Sequence, residues 1–258
     1  MQSIPVELPN FEPGWVWLSG AGPGDTGLLT LHAFNALQQA DVVVYDALVG
    51  KEILKLVSSK CDMEYAGKRG GKPSIKQKDI SLRLVELAQK GKRVLRLKGG
   101  DPFIFGRGGE EALYLAKAGI PFRIIPGISA GTGGLAYAGI PLTHRDFNSA
   151  VTFLTGHGMA GELPESHNWD AIAQGSPVIV MFMATKYLGD IAIRLIRNGR
   201  SPEEPVAVIT KASLPDQCVL ETKLGICAKD VIENRIKPPA MIVVGEVVSL
   251  RDFLKWAD

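Results

Sequence analysis

Apolar runs bounded by glycine, proline or polar turns recur along the chain, and two periodicities alternate. Continuous runs at Val16–Gly20, Val42–Tyr45, 94–97 and Phe122–Ile125 read as buried strands. Between them, 28–39 and a short stretch near 51–57 read as helices. Ile80, Leu84, Leu87 and Ala88 fall at helical spacing, and Gly91 ends that helix. Strand and helix in alternation predict parallel strands with helices on the sheet faces. The rhythm changes near 137–148, where Gly139-Ile140-Pro141-Leu142-Thr143-His144-Arg145 reads as a connector. Further strands are expected at 151–154, 178–182, 206–210, 218–221 and 241–244, with helices at Leu188–Arg197 and 228–234. The expected fold class is α/β, with two α/β lobes over 15–140 and 141–258 and a ligand cleft between them. Residues 1–14, with Pro5, Pro9 and Pro13, are expected to form an extended or mobile tail.

Composition narrows the class. The chain has 258 residues, 46% of them hydrophobic, enough for a sizeable core. Its 29 basic and 27 acidic side chains leave a net charge of +2, which argues against a general nucleic-acid binder. Cys61, Cys218 and Cys227 are scattered, with no zinc or disulfide spacing, so no metal site and a reducing compartment are expected. The N-terminus lacks a basic-then-apolar signal pattern, and no apolar run reaches membrane-spanning length. A soluble cytoplasmic protein, bound neither to membrane nor to nucleic acid, is the expectation.

The chemistry concentrates in glycine-dense turns. Leu97-Lys98-Gly99-Gly100-Asp101-Pro102-Phe103-Ile104-Phe105-Gly106-Arg107-Gly108-Gly109-Glu110-Glu111 follows a strand and opens a helix. Such a turn lets bare backbone approach whatever sits at the strand's carboxyl end. Glu110 and Glu111 fall in the first helical turn, where acids complement the helix dipole. An earlier turn, Gly20-Ala21-Gly22-Pro23-Gly24-Asp25, invites a dinucleotide reading with Asp46 as the ribose partner. That match fails in detail, because Asp25 takes the third glycine position and Pro23 stiffens the turn.

Taken in order, these turns resemble the tetrapyrrole C-methyltransferases that use S-adenosylmethionine. The resemblance runs from Val16 almost to the C-terminus. It rests on Gly20 to Asp25 with Leu28-Leu29-Thr30, on Tyr45-Asp46-Ala47-Leu48-Val49 and Gly67-Lys68-Arg69, and on Arg96 through Glu111. It continues with Pro126-Gly127-Ile128-Ser129-Ala130, the connector at 139–145, Thr155-Gly156-His157, and Pro239-Ala240 before Val243-Val244-Gly245-Glu246-Val247-Val248. Any one motif is weak; their order and spacing together are specific.

The resemblance implies that Pro23, Gly99, Gly100, Asp101, Ile104, Ser129, Ala130, Met183, Ala212 and Ala240 bind the donor, which leaves as S-adenosylhomocysteine. It implies Asp46 as proton acceptor and Lys68 as proton donor. The implied acceptor is uroporphyrinogen III, methylated twice to precorrin-2 by way of precorrin-1, for sirohaem or cobalamin synthesis. Its eight carboxylates need cations; Arg69, Arg107 and Arg145 are the candidates, with Lys72 and His144 behind them. A homodimer is also implied. Methylation alone is expected, since no counterpart is present of the N-terminal portion with which some bifunctional members oxidise and metallate the product. Two departures touch the donor positions: Met183-Ala184 stands where the family usually has Met-Gly, and Thr210-Lys211-Ala212-Ser213 carries a different polar residue before the small one. Two alternatives stay open: a sister methyltransferase acting on a later corrin precursor or another substrate, and a non-catalytic tetrapyrrole-binding protein.

Overall fold

The computed structural model describes residues 6–67, 77–158 and 162–257. The chain divides into two compact units, Met1–Ser129 and Ala130–Asp258.

The first unit is built on five strands: β1 (Val16–Gly20), β2 (Val42–Tyr45), β3 (Asp62–Tyr65), β4 (Val94–Lys98) and β5 (Phe122–Ile125). All pair in parallel, in the order β3-β2-β4-β1-β5. Alternation sorts their side chains onto two apolar faces. Trp17, Val43, Leu95 and Leu97 meet Ala33, Ala36 and Leu37 of the helix Leu31–Gln39. Val16, Leu18, Val42, Val44 and Val94 meet Ile80 and Leu84 of the helix Gln77–Gln89, and Ala112 and Leu115 of the helix Gly108–Lys117. The chain leaves β2 toward β3 on one side and leaves β4 toward β5 on the other. The loops therefore diverge between the carboxyl ends of β2 and β4, the position where open parallel sheets bind ligands.

The second unit holds β6 (Thr152–Thr155), β7 (Ile179–Phe182), β8 (Pro205–Thr210), β9 (Cys218–Lys223) and β10 (Ala240–Val244), in the order β6-β7-β10-β8-β9. Only β6 and β7 pair in parallel; β10 runs antiparallel to both β7 and β8, and β9 antiparallel to β8. Helices Trp169–Gly175, Leu188–Arg197 and Cys227–Glu233 cover one face, and Leu135, Ala138, Ile140 and Val247 cover the other. Among the described residues no helix is long and apolar enough to cross a membrane.

Two observations bear on the expected tail and lobe boundary. The tail expected over 1–14 is packed at its described end. Phe11 is buried and stacks on Trp17 at 4.2 Å, and its N–H donates to Gln39 Oε1 at 2.9 Å. A large aromatic stacked on an indole face gains more by burial than the chain loses by ordering. The boundary falls at 129/130, ahead of the connector at 139–145. The reason is packing: a Cβ added at Gly131 would meet the Phe182 ring at 2.7 Å, and one at Gly134 would meet Ala212 Cβ at 2.7 Å. The turn 130–134 thus belongs to the second sheet.

Candidate active site

The glycine-rich turns of the first unit are held together by backbone. After β1 and β4, Gly100 N–H donates to the Gly22 carbonyl at 2.8 Å and Gly22 N–H to the Gly100 carbonyl at 3.2 Å. A Cβ added at Gly127 would lie 2.2 Å from the Gly100 carbonyl oxygen and 2.7 Å from Gly20 Cα. Gly20 and Gly127 are therefore glycine because the backbones touch there, and Gly100 is glycine because its φ is 66°. Asp101 ties the same loops, accepting from Phe103 N–H at 2.7 Å and Gly127 N–H at 2.9 Å.

Asp46 follows β2 and lies beside Lys98, the last residue of β4. Its Oδ1 accepts from Arg96 Nη2 at 2.6 Å, and its Oδ2 is 3.5 Å from Lys98 Nζ. Behind these cations sits Glu111, whose Oε1 takes Arg96 Nε at 3.1 Å, Lys98 Nζ at 3.1 Å and Gln77 Nε2 at 2.7 Å. Arg96, Lys98 and Glu111 are 1%, 3% and 0% exposed. The Asp46 side chain, 28% exposed, is the one member of the four that reaches solvent.

Sequence reasoning missed this network. Glu111 does stand in the first turn of its helix, but its carboxylate turns inward to the two cations rather than serving the helix end. The signal was present: Arg96 and Lys98 alternate in an otherwise apolar strand, so both point to one face, and they need a buried counter-charge.

Arg107 is exposed and held by its neighbour, donating from Nε and Nη2 to the two Glu110 oxygens at 2.9 and 2.7 Å. The Arg107 guanidinium lowers the Glu110 carboxyl, and Glu110 in turn raises Arg107. Pro23, Gly99, Gly100, Asp101 and Ile104 occupy the loops after β1 and β4, and Ser129 follows β5, so this part of the expected donor set shares one end of the sheet. Lys68, Arg69 and Lys72 lie outside the described residues.

In the second unit Met183 follows β7, Ala212 follows β8 and Ala240 opens β10. Pairing of Ala240 with Thr210 and of Met241 with Phe182 brings all three to one sheet end. Ala130 joins them through the turn that packs on Phe182 and Ala212. Arg145 does not: it lies two residues from Phe147, which shares a cavity with Pro177, Val178 and Glu204, at the opposite end of the strands.

A test of whether these positions suit an adenosyl sulfonium comes from the backbone. Among the described residues, the non-glycine residues with left-handed φ are Phe105, Arg107, Met183, Lys211, Ser213 and Arg235. All but Arg235 lie in the loops carrying the expected donor positions, and such strain gathers where a ligand must be held. The exposed Phe103 in the first unit and the half-exposed Met183 in the second each offer apolar surface of the kind an adenine packs on. The set fits.

Two α/β units, one with a carboxylate and glycine turns at the open end of its parallel sheet, define a small-molecule group-transfer scaffold. The chain belongs to the family described as Tetrapyrrole (Corrin/Porphyrin) Methylases, whose model matches residues 16–227. It is similar to a Uroporphyrinogen-III C-methyltransferase of Sinorhizobium sp, 64% identical over 249 residues, covering 96% of this chain and 89% of that one. It is 48% identical to a Siroheme synthase of Hahella chejuensis, over 96% of this chain but 52% of the relative, so the chain spans about half of that protein's length. Among solved structures, a Thermus thermophilus uroporphyrin-III C-methyl transferase complexed with S-adenyl homocysteine superposes with a TM-score of 0.80, at 38% identity, covering 91% of this chain and 99% of that one. A cobalt precorrin-4 methyltransferase gives 0.81 at 26% identity, covering 91% and 96%.

Proposed function

We propose that the chain methylates uroporphyrinogen III twice, with S-adenosylmethionine as donor, to give precorrin-2 by way of precorrin-1. The likeness over 96% of the chain to a relative bearing that activity carries this reading. The product serves sirohaem or cobalamin synthesis.

When bound, S-adenosylmethionine supplies a methyl group made electrophilic by the attached sulfonium. Pro23, Gly99, Gly100, Asp101, Ile104 and Ser129 in the first unit, and Ala130, Met183, Ala212 and Ala240 in the second, are the proposed donor positions. Asp46 faces solvent at the diverging loops, where it accepts the proton that the methylated pyrrole releases or orients the pyrrole N–H groups. Lys68 is the proposed proton donor, and Arg69 binds a substrate carboxylate. Arg107 binds another by exchanging Glu110 for it. A homodimeric state completes the reading, while Arg145, at the opposite end of the second sheet, is left out of it.

Incubating the chain with donor and freshly generated uroporphyrinogen III tests it. Mass analysis should show two added methyl groups; an unchanged porphyrinogen, or methylation only of a later corrin precursor, overturns it. Arg107→Ala should raise KM for the porphyrinogen several-fold and leave calorimetric donor affinity unchanged.

A further inference from the structure

Burying two cations and an anion in the apolar face of a sheet is costly, on the order of several kcal/mol per ion, and apolar replacements are often as stable. The Arg96–Lys98–Glu111 cluster therefore calls for a role besides holding the fold. Its geometry has a direction. Arg96 is clamped from behind by Glu111 through Nε at 3.1 Å, and its Nη1 donates to the Val44 carbonyl at 3.3 Å. The remaining Nη2 reaches forward to Asp46 Oδ1 at 2.6 Å. Glu111 turns a single oxygen, Oε1, to three donors, and its buried Oε2 has no hydrogen-bond partner among the described residues. The carboxylate is thus oriented for the cations rather than for its own satisfaction.

We propose that Arg96 and Glu111 are positioning residues for Asp46. Glu111 fixes the guanidinium, the guanidinium ties down Asp46 Oδ1, and Oδ2 is left as the oxygen that meets substrate. Lys98, 3.1 Å from Glu111 and 3.5 Å from Oδ2, limits rotation of the carboxylate from the other side. Lys98 also lies near both acids, but through one nitrogen; the planar fork of Arg96 gives each acid a separate N–H, Nε to Glu111 and Nη2 to Asp46, and a lysine in its place cannot hold both at hydrogen-bonding geometry. The proposal rests on the reading of Asp46 as a reacting group.

A double-mutant cycle decides it. Arg96→Lys keeps the charge and removes the fork. It should lower kcat tenfold or more, with KM for uroporphyrinogen III and donor affinity within about twofold of the parent. In an Asp46→Asn background the same change should cost nothing further, because the group it positions is already disabled. Loss by the same factor in both backgrounds, or wild-type turnover in the single variant, overturns the proposal. If Arg96→Lys does not fold, Glu111→Gln runs through the same cycle, with a threefold or larger fall in kcat expected and the same additive outcome overturning it. Parent protein assayed alongside separates the two readings: a parent that leaves the porphyrinogen unmethylated removes the proposed function and this role together, whereas an active parent with an additive cycle removes this role alone.

Discussion

The two units solve the same architectural problem with opposite materials. In the first, parallel strands end on one side, and the buried side of β4 carries Arg96 and Lys98 against Glu111. In the second, a mostly antiparallel sheet buries Ser176, Thr210 and Ser213, and its most enclosed ion pair among the described residues, Arg200–Glu204, keeps its side chains 9% and 12% exposed. Its loops instead carry small residues and left-handed backbone at Met183, Lys211 and Ser213. The contrast assigns the tasks. Buried charge belongs to the parallel sheet, where strand ends and loops diverge, and the proposed proton handling by Asp46 would fall there. Shape, set by small side chains and strained turns, belongs to the mixed sheet.

The largest effect should come from the backbone contact that assembles the first unit's loops. Gly127→Ala places a methyl against Gly20 and Gly100 backbone and should cost about 3 kcal/mol, read by chemical denaturation. Gly109→Ala, where an added Cβ meets nothing within 4 Å, should be nearly silent. Equal losses would show that these turns are not held by backbone contact.

Asp46→Asn tests the charge side. Turnover should fall on the order of 10²-fold, with thermal stability and donor affinity little changed. A stable variant with parental single-turnover methyl transfer would remove Asp46 from the mechanism; a large loss of Tm with normal turnover of the folded fraction would make it a structural bridge to Arg96.

Met183→Gly tests the shape side. Glycine relieves a left-handed conformation worth roughly 1–2 kcal/mol, set against glycine's own entropic cost of about 0.5–1 kcal/mol. Tm should hold or rise slightly, while calorimetric donor affinity weakens about tenfold through loss of an apolar wall. Unchanged affinity would detach the second unit from donor binding.

The smallest effect concerns a surface pair in the first unit. Arg83 donates to Glu64 at 2.9 and 2.7 Å and holds the Glu64 carboxyl below its ordinary range. A lowered carboxylate adds stability that is present above the ordinary glutamate range and is lost as pH falls through the depressed value. Glu64→Gln should therefore cost less than about 1 kcal/mol at neutral pH, and the gap to the parent should close in acid.

Periodicity located most strands and helices because each buries a face whose spacing is local: β2, β5 and the helix Leu188–Arg197 match residue for residue. It passed over β3, whose Asp62-Met63-Glu64-Tyr65 is half exposed at the sheet edge, and the short helix Trp169–Gly175. Asp46, Arg107 and the glycine turns were legible as residue types in strand-to-helix turns. The partnership of Asp46 with Arg96 was not, since fifty positions separate them and only the β2–β4 register closes the gap.

By itself, then, the chain's pattern determined the α/β class, the strand succession and the motifs that carry the family likeness, all of which are written in neighbouring residues. Tertiary structure alone decided that β10 reverses the second sheet, that residues 130–140 pack with that sheet, and that Glu111 faces inward. These depend on which distant surfaces bury one another and on where a buried charge finds its counter-charge, and neither quantity is carried by any local stretch of sequence.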